Sequence, residues 1–167
     1  MPPEGEWRRT PWAPTPTDPR AALLADEFDT LVATCFPSLA GEIPRPEIVV
    51  APDPYARAAG ALATYAARVR RPHRIWLDPA VLDGSTHPDI RRPLDGIGRW
   101  RLAVALLTHE VAHLVADHVA RAQGDVVAAR HYTHGALFVG TANVMARKLD
   151  LHPVDDPHRW PHSRLLG

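Results

Sequence analysis

Between Ile97 and Arg121 the chain carries the pattern that most limits its fold. Leu102 to Leu107 is apolar on every side of a helix, and Val111, Ala112, Leu114 and Val115 continue the pattern. A surface helix keeps one polar face, so a helix that is apolar all round predicts the centre of a domain. Such a helix has to be wrapped by other elements. The chain has the means, because 46% of its 167 residues are hydrophobic, enough for one real core and too short a chain for two ordinary domains. Gly124 is a credible stop signal for this helix.

The elements that wrap it follow from local signals. Asp18 caps a first helix with Pro19 at its opening position, and Leu23, Leu24, Phe28, Leu31, Val32 and Phe36 recur at helical spacing until Pro37. Pro46 to Ala51 reads as a strand through Ile48, Val49 and Val50, and His73 to Leu77 as another, with Ile75 and Leu77 on one face and Trp76 on the other. Ala58 to Ala67 is ambiguous: alanine favours helix, while Gly60 and an apolar-basic alternation leave room for a strand paired with the next. Asp78 and Pro79 end that next strand and open a short helical turn at Ala80 to Leu82, and Asp83 to Pro93 reads as loop. A last helix runs from about Gly135 to Leu149 through Leu137, Phe138, Ala142, Met145 and Leu149. The order is helix, strands, helix, helix, an α+β arrangement with a small sheet packed on the central helix.

Prolines mark the ends. Met1 to Pro19 holds Pro2, Pro3, Pro11, Pro14, Pro16 and Pro19 and reads as a mobile tail, in which Trp7 and Trp12 flank Arg8-Arg9. His152 to Gly167 contains Pro153, Pro157 and Pro161 with little apolar periodicity, so it should wrap over the surface or fray. The domain is thus expected to span residues 20–151.

Nineteen Lys+Arg balance nineteen Asp+Glu, so no global field draws the chain to nucleic acid or an anionic membrane. The one dense basic run is Arg68, Arg70, Arg71, His73 and Arg74, a local candidate for nucleic-acid contact. A single cysteine, Cys35, excludes an internal disulfide, a thiolate zinc site and an iron-sulfur site. Without a signal-like apolar run at the N-terminus or an uninterrupted apolar stretch of about 18 residues, the expected address is cytoplasmic, with no membrane partner.

The chemistry stands inside the central helix as His109-Glu110-Val111-Ala112-His113. Four residues at about 100° each bring both imidazoles to one face, about one turn apart, close enough to share a metal ion. Glu110, about 100° away from His109, stands beside the metal, where a carboxylate takes a proton from the attacking water. Three ionisable residues in an apolar helix need a compensating partner, and a metal supplies one. A third protein ligand is required. Glu110 is the last glutamate in the chain, which removes a Glu on a later helix. The extended pattern with a further Gly and His fails too, because Ala116 and Val119 occupy those positions. His118 points about 140° round the helix from His113, toward a surface or supporting role. The pair His131 and His134, in His131-Tyr132-Thr133-His134-Gly135, remains, and either could return to the metal.

His109-Glu110-Val111-Ala112-His113 followed by His134-Gly135-Ala136-Leu137-Phe138 resembles the H-E-x-x-H and H-G-x-x-[FW] signature of SprT-like zinc metallopeptidases, the group that includes Spartan-type proteases of DNA-protein crosslinks. The likeness covers roughly Arg20 to Leu151: Ile48-Val49-Val50, Gly60 and Ile75-Trp76-Leu77-Asp78 follow the family's order. The resemblance implies a zincin-like minimal protease domain holding one catalytic Zn2+, with His134 as third ligand beside His109 and His113, and Phe138 packed back toward the active helix. It also implies Glu110 as general base and a protein or peptide substrate, including protein bound to DNA. Tyr132 and His131 are candidates for oxyanion stabilisation or for supporting contacts. Two departures are plain: many bacterial members carry a four-cysteine zinc ribbon, which Cys35 alone cannot build, and DNA-repair members carry stronger basic elements than the Arg68 to Arg74 run. Two other readings share the residues. One is a regulatory or mobile-element protease cutting one specific partner; the other is a non-catalytic zinc-stabilised binding module, which would have no use for Glu110.

Overall fold

Asp18 opens the first helix, its carboxylate accepting the Arg20 N–H at 2.9 Å while Pro19 takes a position that needs no donor. The structure, a computed structural model, describes residues 18–53, 56, 60–67, 72–84, 90, 93–124 and 134–166. Helix α1 (Pro19–Cys35) buries Leu24, Phe28, Leu31, Val32 and Cys35, so the stripe read from its spacing is the face it turns inward. Burial raises the pKa of the Cys35 thiol.

Among the described residues three short strands form one sheet: β1 (Glu47–Val50), β2 (Ala63–Ala66) and β3 (Arg74–Leu77), in the order β1-β3-β2. β1 runs parallel to β3, with Glu47 opposite Arg74 and Val50 opposite Leu77, and β2 runs antiparallel, with Ala63 opposite Leu77 and Tyr65 opposite Ile75. The ambiguous alanine-rich stretch is therefore a strand from Ala63 onward, introduced by Gly60 at φ 74°, a conformation that suits glycine. Ile75 and Leu77 face the core while Trp76 is only partly covered, as the alternation of a strand requires.

A short helix α2 (Ala80–Asp83) leads toward α3 (Gly96–Ala122), where the Asp95 carboxylate accepts the Gly98 N–H at 2.7 Å. α3 ends at Gln123, followed by Gly124 at φ 73°. It is long and apolar enough to cross a membrane by length and composition, but 72% of its most apolar window is buried inside the domain, against α1, α2, β2, β3 and the last long helix, α4 (Ala136–Lys148). The fold is α+β, with a three-stranded sheet and helices arranged about a central helix.

The end of the chain departs from the expectation of a surface wrap or a frayed tail. Trp160 is wholly buried, its indole N–H donating to the His152 carbonyl at 2.9 Å, and α5 (Ser163–Leu166) packs against α3 through the buried Leu166. Periodicity did not reveal this because the segment docks through one large aromatic anchor rather than a repeating stripe. The Met1 to Pro19 tail lies, apart from its last two residues, outside the described residues, as does most of the loop read over 83–93.

Candidate metal centre

The central helix places His109 and His113 one turn apart on one face, and Gly135 turns the chain into α4 so that His134, just before it, reaches the same point. The Nε2 atoms of His109 and His113 are 3.1 Å apart, and those of His109 and His134 are 3.2 Å apart. One nitrogen from each of the three residues lies within 4.8 Å of the others, close enough to hold a metal ion, and no fourth His, Cys or carboxylate joins this group among the described residues. Nitrogens bound at about 2.0 to 2.1 Å around a tetrahedral ion are roughly 3.3 Å apart, so the spacing fits a shared ion.

The protonation states fit as well. A carbonyl can only accept, so the 2.6 Å contact between His109 Nδ1 and the Trp160 oxygen places the proton on Nδ1 and leaves Nε2 with a bare lone pair. Burial, aided by the other histidines nearby, lowers the pKa of His109 to about 4 and that of His113 to about 2. Burial lowers the pKa of His134 too. Neutral imidazoles are the form that binds metals.

Phe138, reached one turn into α4, floors the cluster: its ring centroid lies 4.4 Å from that of His113, 5.0 Å from His134 and 5.1 Å from His109. Glu110 is only 5% exposed and stands beside the ligands rather than among them. Burial pushes its pKa up to about 8, opposed by the Tyr65 backbone N–H, which donates to the carboxylate.

That bond shows how the sheet faces the site. The Asp78 N–H donates to the Leu62 carbonyl, so alternate residues Leu62, Thr64 and Ala66 turn their backbone groups to β3, while Ala63 and Tyr65 turn theirs to the free edge of β2. This edge lines a cavity of about 570 Å³ together with His109, Glu110, His113 and His134. The Tyr65 side chain is anchored elsewhere: its hydroxyl donates to Asp117 Oδ2 at 3.0 Å, and Arg121 Nε donates to the same oxygen at 2.9 Å.

Sequence reasoning missed the C-terminal contribution. His158 lies tilted against His134 with ring centroids 4.2 Å apart, His162 meets His109 edge-on at 5.6 Å, and both line the cavity with Arg159 and Leu166. A usable signal was present: Trp160 flanked by His158 and His162 in so short a segment. His118 sits away from the site, with Nε2 3.8 Å from a Glu42 carboxylate oxygen. Arg74, a candidate nucleic-acid contact, is 6% exposed and its guanidinium binds Glu47 through Nε at 2.9 Å and its terminal nitrogen at 2.8 Å. It serves the β1-β3 pair instead, because a buried guanidinium stays with its carboxylate. Arg68, Arg70, Arg71, His131 and Tyr132 lie outside the described residues. No family model, no curated protein and no solved structure matches the chain.

Proposed function

We propose that this chain is a zinc-dependent endopeptidase of minimal SprT-like, zincin type. One observation carries the reading: three neutral imidazole nitrogens converge beside a buried carboxylate that opens on a cavity edged by a free strand. Three imidazoles suit zinc and leave its charge unneutralised, and three protein ligands leave a position open. Bound there, Zn2+ would supply Lewis acidity toward a water molecule and the peptide carbonyl.

The remaining work falls to the chain's own residues. Glu110 accepts the proton of the attacking water as the new C–O bond forms, and returns it to the amine as the C–N bond breaks. Burial raises its pKa, a bound cation would bring it back to the ionised form that accepts a proton, and the Tyr65 N–H fixes the orientation of its oxygens. The Trp160 carbonyl holds the His109 ring in the tautomer that offers Nε2. An extended peptide can add to the outer edge of β2, where Ala63 presents its backbone N–H and carbonyl and Tyr65 its carbonyl, the Tyr65 N–H being held by Glu110. A closed structural zinc site would recruit a fourth protein ligand; among the described residues none joins the three histidines, which supports catalysis over a binding module.

The test is metal analysis combined with hydrolysis of casein, with and without single-stranded DNA, on the wild-type chain and on Glu110→Gln. One zinc per chain is expected in both, with turnover reduced by about 10² to 10⁴ in Glu110→Gln, the usual cost of losing a general base. Equal turnover in the two proteins, or no zinc in the wild type, would overturn the reading.

A further inference from the structure

The cavity beside the metal centre has an uneven charge. Among the described residues that line it, Glu110 is the one acidic residue, already engaged by the Tyr65 backbone N–H, and Arg159 is the one arginine. The backbone of Arg159 is fixed from both sides: its N–H donates to the Asp156 carbonyl at 3.1 Å, and its own carbonyl accepts the Ser163 N–H at 2.8 Å. The next residue is the wholly buried Trp160, whose carbonyl holds His109. Arg159 is thus carried on the same rigid turn that orients a metal ligand. Arg159 is exposed and its guanidinium has no hydrogen-bond or ion-pair partner among the described residues; what sets it apart from other exposed arginines such as Arg101 and Arg147 is its place in the cavity lining.

A peptide entering the cavity would strip water from this fork of donors, which is favourable only when the peptide brings an acceptor of matching shape. A carboxylate is that acceptor, because its two oxygens take two parallel N–H bonds. We propose that Arg159 is a specificity-determining residue, pairing with a carboxylate of the bound peptide, either an acidic side chain close to the scissile bond or a free C-terminus. The inference rests on the peptidase reading for the nature of the ligand, and its test is a binding measurement that needs no turnover.

Labelled peptides are titrated into zinc-loaded Glu110→Gln protein and followed by fluorescence anisotropy. One pair of peptides differs only by Glu against Gln, and a second only by a C-terminal acid against an amide. The carboxylate member of one pair is expected to bind about 10-fold tighter, as a charge-assisted pair does. The pair that shows the difference identifies the source of the carboxylate. In the double variant carrying Arg159→Gln the ratio should fall to near one, while Arg159→Lys should retain part of it. Equal affinities in both pairs, no peptide binding at all, or a ratio unchanged by Arg159→Gln would overturn the proposal. If the ratio behaves as expected but the wild-type enzyme fails to cut the peptide it binds, the peptidase reading falls while the role of Arg159 stands.

Discussion

His109 Nδ1 donates to the main-chain carbonyl of Trp160 at 2.6 Å, a bond that spans the chain from the central helix to its C-terminal segment. It makes the segment part of the candidate metal centre. Trp160 is held in turn by its own burial and by the indole bond to the His152 carbonyl at 2.9 Å.

The first prediction concerns that anchor. Trp160→Phe keeps an aromatic ring in place but loses the indole donor, so the carbonyl that orients His109 should lose definition. Zinc affinity is expected to fall about 10-fold, the low end of what loss of a supporting partner to a ligating histidine costs. Trp160→Ala should cost about 3 to 5 kcal/mol of stability through the cavity it leaves. Competition titration with a zinc chelator, set beside urea unfolding, separates the two effects. An unchanged zinc affinity in Trp160→Phe would show that the indole bond does not support the site.

The pH dependence of the metal-free protein has two limbs of opposite sign. His109 and His113 have folded pKa values of about 4 and about 2 against an ordinary 6.5, so the unfolded chain binds their protons first, and stability is lost as pH falls below about 6.5. Glu110 runs the other way. Its folded pKa of about 8 lies above the ordinary 4.5, so its contribution is full below 4.5 and is lost as pH rises toward 8. Between 4.5 and 6.5 the two histidines outweigh the one glutamate, so these three groups together place maximum stability near pH 6.5. Bound metal should flatten the alkaline limb, because a nearby cation favours the ionised carboxylate. Thermal melts of chelator-treated and zinc-loaded protein across pH 4 to 9 read both limbs. A metal-free protein that gains stability steadily up to pH 9 would contradict the burial of Glu110.

Tyr65 tests whether the cavity's tyrosine works on substrate or on structure. Its hydroxyl is spent on Asp117, a buried carboxylate whose Oδ1 has no hydrogen-bond partner and whose Oδ2 it shares with Arg121. Tyr65→Phe should therefore cost about 1 to 3 kcal/mol of stability, the penalty for removing a donor from a buried charged group. The backbone N–H that holds Glu110 survives the substitution, so kcat should stay within about 3-fold, well short of the 10²-fold loss of a catalytic donor. Denaturant unfolding and steady-state kinetics on one preparation decide it. A 100-fold drop in kcat with unchanged stability would make the hydroxyl a direct participant.

Particular residues show what could be read from the chain and what could not. His109, Glu110 and His113 were legible because their mutual placement follows from the helix alone, and the helix announces itself through the apolar run from Leu102 to Val115. His134 was reachable only as one of two histidines, since its approach depends on a connection whose path no local rule specifies. β2 was undecidable because Ala63 to Ala66 lacks β-branched residues apart from Thr64; pairing with β3 overrides its alanine propensity. Trp160, His158, Arg159 and His162 show no periodicity among the prolines around them, and the clustering of Trp160 with two histidines is the one signal they offer. The burial of Trp160 and His162, and the ring contacts of His158 and His162, come from a long-range fit of this segment onto the domain that spacing does not encode.

The last prediction uses the alternation of β2 to separate substrate binding from folding. The backbone of Ala63 faces the free edge beside the metal centre, whereas that of Thr64 faces β3. Proline removes the N–H at either position and is tolerated in a sheet only where that N–H points away from the ladder. Ala63→Pro should keep the fold and remove one backbone donor offered to an extended peptide. One such bond contributes about 0.5 to 1.5 kcal/mol, so kcat/KM should fall about 3- to 10-fold, chiefly through KM. Thr64→Pro removes a ladder bond to β3 and should destabilise the protein by about 3 kcal/mol or more. Kinetics on a peptide substrate and unfolding curves for both variants check the pair. A folded Ala63→Pro protein with unaltered kcat/KM would mean that the peptide does not pair with this edge, and would move the proposed substrate to the wall formed by the C-terminal segment.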